Sequence, residues 1–396
     1  AAGGALKIGA LMSFTGDLSD FGEPIFNGAK LAVDEINAAG GVLGKNVELV
    51  RGDDGTAPQQ GVNEATRLVN VEKVQAIVGA LASGVTLQVA ESVTGPNKIV
   101  QISPSSTSPA LSDAKDNDFL FRTTISDAAQ GIVLANLAKD AGYAKVCTLY
   151  INNAYGKGLS NSFAEGFKSQ GGTVTNEVPH ESEQTTYATE LGKCKGADAL
   201  AAIAYPESAR VFLREAVEQE IVPSYVFVDG TKSEEMFRDL GWDKFDKMRG
   251  TAPSSLPTAE ASSFEDRYKN AFGELPPRPF IKEAYDAVYL IALAAEKAGS
   301  TDPTKIRDAL RDVANAPGEA VGPGTDNFKK AVALIKSGKD INYEGVTGPI
   351  EFDAKGDPAV GAVEWWHVDA AKKELVTDKK FEVDLSTKKV EELPLQ

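Results

Sequence analysis

Two histidines and two cysteines in 396 residues leave this chain short of the side chains that most nucleophilic and metal chemistry requires. His180 stands beside Glu181 and His367 lies in a late apolar segment, so position suggests no Ser/His/Asp grouping. No Cys/His cluster has metal-ligand spacing, and the acids from Asp353 to Asp357 read as a hairpin turn, not a calcium loop. Phosphate loops are missing as well. Gly44-Lys45 runs into Asn46 without the upstream glycine of a P-loop, and no G-x-G-x-x-G opens the helix after the first strand. Ser83 lacks a nucleophile elbow because Leu81 occupies the position of the first glycine. Positive charge is scarce: 41 Lys plus Arg against 57 Asp plus Glu give a net charge of -16, which repels nucleic acid and anionic lipid. The longest apolar runs, such as residues 199–204, fall far short of the roughly 20 residues of a bilayer span. These absences exclude the common cofactor and metal enzymes, nucleic-acid binders and helical membrane proteins; no enzyme activity, cofactor or metal is expected.

Cys147 and Cys194 are too few for a disulfide scaffold, and their spacing alone leaves open a single bridge in an oxidising compartment or two buried thiols. The chain opens Ala1-Ala2-Gly3-Gly4-Ala5 without an initiator Met. That start reads as the mature end left by a removed signal peptide, and so predicts export.

What the sequence has is rhythm. A chain of 396 residues exceeds the usual size of one core, so two domains are expected. Short apolar runs at 6–12, 47–50, 74–78 and 99–102 alternate with helical patterns, the first starting at Pro24, and so predict a doubly wound α/β half. Runs at 146–151, 173–178, 199–204 and 225–228 repeat the pattern. From 259 long helices take over, at 259–272, 280–298 and 303–313, followed by a Gly/Pro-rich loop over 318–324, a further helix near 326–336 and antiparallel strands expected at 350–353 and 362–368.

Open parallel sheets bind ligands outside the carboxyl ends of their strands. Two first-half strands end there in hydroxyls, Ser83 after one and Ser105, Ser106 and Thr107 after the other. Such groups, with helix N-terminal amides, can cradle a carboxylate without arginine; they can equally be a cap and a proline-bounded turn. Second-half strands end in Tyr155, Tyr205 and Asp229, of which Asp229 can accept from an ammonium or cap the next helix.

The stretch Ile8-Gly9-Ala10-Leu11-Met12-Ser13-Phe14-Thr15-Gly16, then Ile36-Asn37-Ala38-Ala39-Gly40-Gly41, Tyr155-Gly156-Lys157-Gly158, Ala284-Tyr285-Asp286-Ala287 and Gly348-Pro349-Ile350-Glu351-Phe352-Asp353, resembles the periplasmic Leu/Ile/Val-binding proteins. These are type I solute-binding receptors of ABC importers for hydrophobic amino acids and amides. The resemblance covers nearly the whole chain. It implies two Rossmann-like lobes joined by a hinge: 1–121 with about 253–340, and 122–252 with about 341–396, crossing near 121–124, 250–254 and 340–350. It further implies that Ser83 and Thr107 hold the ligand carboxylate, that the backbone of Ser105 reaches carboxylate and ammonium, and that Tyr155 and Tyr205 close over the amino acid. Phe21 and Phe280 match aromatics near the ligand side chain, and Asp127 matches an acidic ammonium contact in the related metabotropic glutamate receptor domains. Asp229 lies near the second-lobe carboxylate, where the Leu/Ile/Val binders carry Glu. The 314–348 insert is expected to decorate one lobe away from the ligand, and Glu283 reads as a solvated helix position, with a polar ligand group as the alternative.

The expectation is therefore a monomeric periplasmic receptor that closes on a small amino acid, aliphatic or branched, and delivers it to an ABC permease. The rivals are an amide or carboxylate sensor on the same fold and an α/β hydrolase using Ser83.

Overall fold

The computed structural model describes residues 4–395. Strands β1 (Lys7–Met12), β2 (Glu48–Asp53), β3 (Ala76–Gly79), β4 (Val100–Ser103) and β5 (Leu120–Arg122) form a parallel sheet in the order β2-β1-β3-β4-β5. β3 and β4 are buried along their whole length because helices cover both faces, which is why they read as unbroken apolar runs. Strands β6 (Lys145–Ile151), β7 (Thr173–His180), β8 (Ala199–Ile203), β9 (Tyr225–Phe227) and β10 (Arg249–Ser254) repeat that winding in the order β7-β6-β8-β9-β10. Three antiparallel strands, Val360–Asp369, Glu374–Asp384 and Lys389–Leu393, continue the second sheet beyond β10. This is the two-lobed α/β fold that the alternating pattern predicts.

Several elements differ from the sequence reading. The first long helix spans Ser19–Ala38 and holds Pro24 inside it. Proline has no N–H, so the Asp20 carbonyl lacks its helical donor; the Arg278 guanidinium donates to it instead. A distant arginine thus repairs the helix that a proline rule would start later. No strand forms at 350–353: Phe352 makes one isolated bridge to Pro358 and sets its ring edge-on to Phe121 at 5.1 Å. The third crossing also lies later than 340–350. Ile341–Gly345 pairs with Glu319–Val321, and the Tyr343 hydroxyl donates to Asp286 (2.8 Å) on helix Ile281–Ala298 beside the first sheet, so the chain joins the second sheet only at Val360. Fully buried Asp286 also accepts the Val346 and Thr347 amides, both at 3.0 Å, which fastens the insert to the first lobe.

Arg122, 1% exposed, ties the first and third crossings together. Its Nε donates to Asp357 (2.7 Å) and its Nη1 to the carbonyls of Ser106 and Ser108 (3.1 and 2.8 Å). Cys147 and Cys194 are joined in a disulfide inside the second lobe, which settles their pairing. The bridge spans a sequence separation of 47, and loops of that size are worth about 4 kcal/mol of unfolded-state entropy. Replacing both cysteines with alanine is expected to lower stability by about 3 to 4 kcal/mol in urea unfolding. An unchanged midpoint would refute that contribution.

Candidate functional site

Each lobe's sheet changes winding direction at one place, between β1 and β3 in the first and between β6 and β8 in the second. There adjacent loops leave on opposite faces and open a crevice, and the two crevices face each other. A small cavity lies between them. The first lobe supplies Leu18, Phe21 and Ile25 around the start of helix Ser19–Ala38, Leu81, Ala82 and Ser83 after β3, Ser105 after β4, and Phe280 before helix Ile281–Ala298. The second lobe supplies Tyr155 after β6, Tyr205 after β8, and Asp229 with Gly230 after β9. The tyrosine rings stack 5.3 Å apart, and Asn153 donates to the Tyr205 hydroxyl (3.1 Å).

The strand-end hydroxyls divide into two groups. Ser83 Oγ accepts the Ser108 amide (3.1 Å), which leaves its own proton for the cavity. Ser105 donates its hydroxyl to the Leu81 carbonyl (2.9 Å), so its backbone groups are what it has left to offer. Ser106 and Thr107 do not line the cavity. Ser106 Oγ lies 2.7 Å from Thr86 Oγ1 and donates to Leu81 O (3.0 Å), which knits the loop together. Thr107 donates to Asp127 Oδ2 (2.7 Å) instead of pointing at a ligand. Backbone carbonyls and a carboxylate at the hinge compete for these protons, and β4 alone carries no sign of that competition.

Beneath the cavity lies a pair of fully buried acids. Gln130 Nε2 donates to Asp127 Oδ1 (2.7 Å) and to Asp229 Oδ1 (3.0 Å), while its Oε1 accepts from Thr251 (3.0 Å) and so fixes which end of the amide faces them. Tyr155 adds a 2.6 Å hydroxyl bond to Asp229. Among the described residues neither acid makes an ion pair; Arg122, the basic group that influences Asp127, is engaged by Asp357. Burial holds both carboxyls well above the ordinary range, and the neighbouring Asp229 charge raises Asp127 further. Two carboxyls desolvated without a basic side chain are held toward their neutral forms and would be stabilised in their charged forms by a cation.

Phe280 lies 6.5 Å from Phe21 and holds a left-handed backbone (φ 83°), a strained conformation for a residue with a side chain. Its ring borders both the cavity and a larger polar compartment on the far side. Glu283 is buried, not the solvated helix position its sequence suggests, and it borders that compartment and not the cavity; burial pushes its carboxyl up to about 8, against amides of the helix start that pull it down. The insert residues of 314–348 line no part of the cavity.

Sequence reasoning missed Gln130, which lies three residues beyond Asp127 and therefore on the same face of helix Asp127–Asp140. It also missed Leu18 and Ile25, which flank Phe21 at helical spacing. Neither histidine is near Ser83: His180 is buried against Tyr187 and Phe212, with burial lowering it to about 3, and His367 pairs with Asp378 (2.7 Å). Among the described residues no group of His, Cys, Asp or Glu is arranged to hold a metal, and no helix is long and apolar enough to cross a membrane.

The family model described as periplasmic binding protein matches residues 5–372. The chain is similar to the Leu/Ile/Val-binding protein BraC3 of Rhizobium johnstonii, with 30% identity over 81% of this chain and 87% of the relative. Among solved structures it is similar to the branched-chain amino acid transporter substrate-binding protein LivJ of Streptococcus pneumoniae, in complex with isoleucine: 28% identity, 95% of this chain and all of that chain (100%), TM-score 0.76. A solute-binding protein of an ABC transporter from R. palustris, in complex with benzoate, shares the fold at 19% identity and TM-score 0.74, over 94% of this chain and 95% of that one. From these matches, the chain belongs to the type I periplasmic binding proteins of the branched-chain amino acid family.

Proposed function

We propose that the protein is an extracytoplasmic, monomeric receptor of an ABC importer that closes on a small aliphatic α-amino acid. The observation that carries this reading is the acid pair Asp127 and Asp229, bridged by Gln130 and free of any basic partner among the described residues. The ligand ammonium meets Asp229 and the Ser105 backbone, and its carboxylate meets the Ser83 hydroxyl with the first amides of the helix that Ser83 opens. The aliphatic group then lies against Leu18, Phe21, Ile25, Leu81 and Phe280, and Tyr155 and Tyr205 cover it when the lobes meet. The small cavity is lined mainly by apolar side chains, which favours an aliphatic group over a polar one. Because closure adds the tyrosines and Asp229 to a ligand held by the first lobe, binding shifts the open–closed equilibrium toward closed.

Benzoate-type ligands share the carboxylate but bring no cation, so they would leave the acid pair uncompensated. Calorimetry is expected to give leucine, isoleucine or valine a Kd around 1 μM, with benzoate at least 100-fold weaker. Benzoate binding more tightly than every α-amino acid would overturn the amino-acid assignment.

A further inference from the structure

We propose that Asp17 is the latch of the closed state: a first-lobe carboxylate that caps the second-lobe helix Pro206–Glu218 across the cleft. Helices begin with backbone N–H groups that have no partner within the helix, and a Ser, Thr, Asp or Asn just before the first turn usually accepts one of them. Here that position is Tyr205, which makes no side-chain cap, so the helix carries no local acceptor. Asp17 supplies it from the other lobe. Its Oδ1 accepts the Ser208 amide (2.8 Å), its Oδ2 accepts the Ser208 and Ser182 hydroxyls (2.6 and 3.0 Å), and its carbonyl accepts the Glu207 amide (3.4 Å). The carboxylate is 7% exposed and lies at the positive end of the helix dipole, the favoured place for a negative charge.

The same face has a second contact across the gap. Asp20 Oδ2 accepts Arg210 Nη2 (2.9 Å) and the Ser233 hydroxyl (2.7 Å), both from the second lobe. Asp17, Ser182, Ser208, Asp20 and Arg210 line no part of the ligand cavity, so the latch acts on closure itself and does not depend on which solute is bound. When the lobes part, the Glu207 and Ser208 amides pass to water, and the Asp17 carboxylate loses every donor named above. The latch therefore lowers the energy of the closed state alone.

Single-molecule fluorescence tests this on the whole chain. Gln59→Cys on the first lobe and Thr189→Cys on the second are both exposed, and the two native cysteines are already bonded to each other, so dyes go only to the new sites. The closed-to-open ratio is read without ligand and with saturating leucine, in the parent, Asp17→Ala and Asp17→Asn. Removing the carboxylate is expected to lower the ratio at least about tenfold, and Asp17→Asn is expected to fall between, because its amide oxygen still accepts from Ser208. An unchanged ratio in Asp17→Ala overturns the latch, as does a parent protein with no closed population in either condition. If leucine closes nothing while the ligand-free parent samples the closed form, the ligand-free ratio decides the latch and the failure falls on the amino-acid reading alone.

Discussion

Asp229→Asn is expected to weaken leucine binding at least 100-fold, about 3 kcal/mol, because the ligand ammonium loses its charged partner inside a desolvated site. The substitution keeps the shape of the side chain and an oxygen for the 2.6 Å bond from Tyr155. It also removes a carboxyl that burial penalises, so the melting temperature of the ligand-free protein should hold or rise. That pairing of outcomes separates a binding role from a folding role. A third measurement sharpens it. 4-Methylpentanoate, which is leucine without its amine, should bind the parent protein poorly and bind Asp229→Asn about as well as leucine does. Leucine affinity within threefold of the parent would remove Asp229 from the site.

Acidification is the second large effect. The acid pair titrates between about 6 and about 8, while leucine keeps both of its charges through that range. A protonated carboxyl cannot hold an ammonium, so affinity must fall as pH falls. The expected loss from pH 8 to pH 5 is at least tenfold, and binding at pH 7 should release protons, visible as a buffer-dependent heat in calorimetry. The stability of the ligand-free protein moves the other way. The folded-state values lie above the usual unfolded carboxyl value near about 4, so the folded chain binds more protons than the unfolded one between about 8 and 4. The pair's contribution to stability therefore grows on acidification through that window. Affinity that stays flat from pH 8 to pH 5 would refute the proton–ammonium exchange.

The chain order of strands and helices was legible because βα units repeat a short apolar run and an amphipathic segment. The errors came where a long-range contact overruled a local rule. Pro24 reads as a helix start, yet Arg278, far along the chain, takes the carbonyl that the proline leaves free. The strand Glu374–Asp384 does not read as a strand because lysines and acids interrupt its alternation, and it forms by pairing with Val360–Asp369. At the candidate site, strand ends named the right loops, since topology fixes where loops meet. Side-chain direction was not legible in the same way. Ser83 and Thr107 look equivalent in sequence, but one borders the cavity and the other donates to Asp127. Asp17 escaped notice for a similar reason: its partners belong to residues 182 and 207–208, and nothing nearby in the chain announces them.

Both lobe sheets are open; the β5 margin is buried and accepts no newcomer because the Gly356 carbonyl takes the Arg122 amide, while the other three margins are more exposed. The outermost strand Lys389–Leu393 carries charges of both signs, with Lys389 paired to Glu391 (2.6 Å) and Glu392 to Lys379 (3.2 Å). At the opposite margin β7 carries exposed Asn176 and Pro179, and in the first sheet β2 carries Glu48 and Arg51. Bare strand margins invite another chain to dock by main-chain pairing, and charge with proline makes that docking unfavourable. Together with a net charge of -16, such margins disfavour edge-to-edge pairing between copies of the chain.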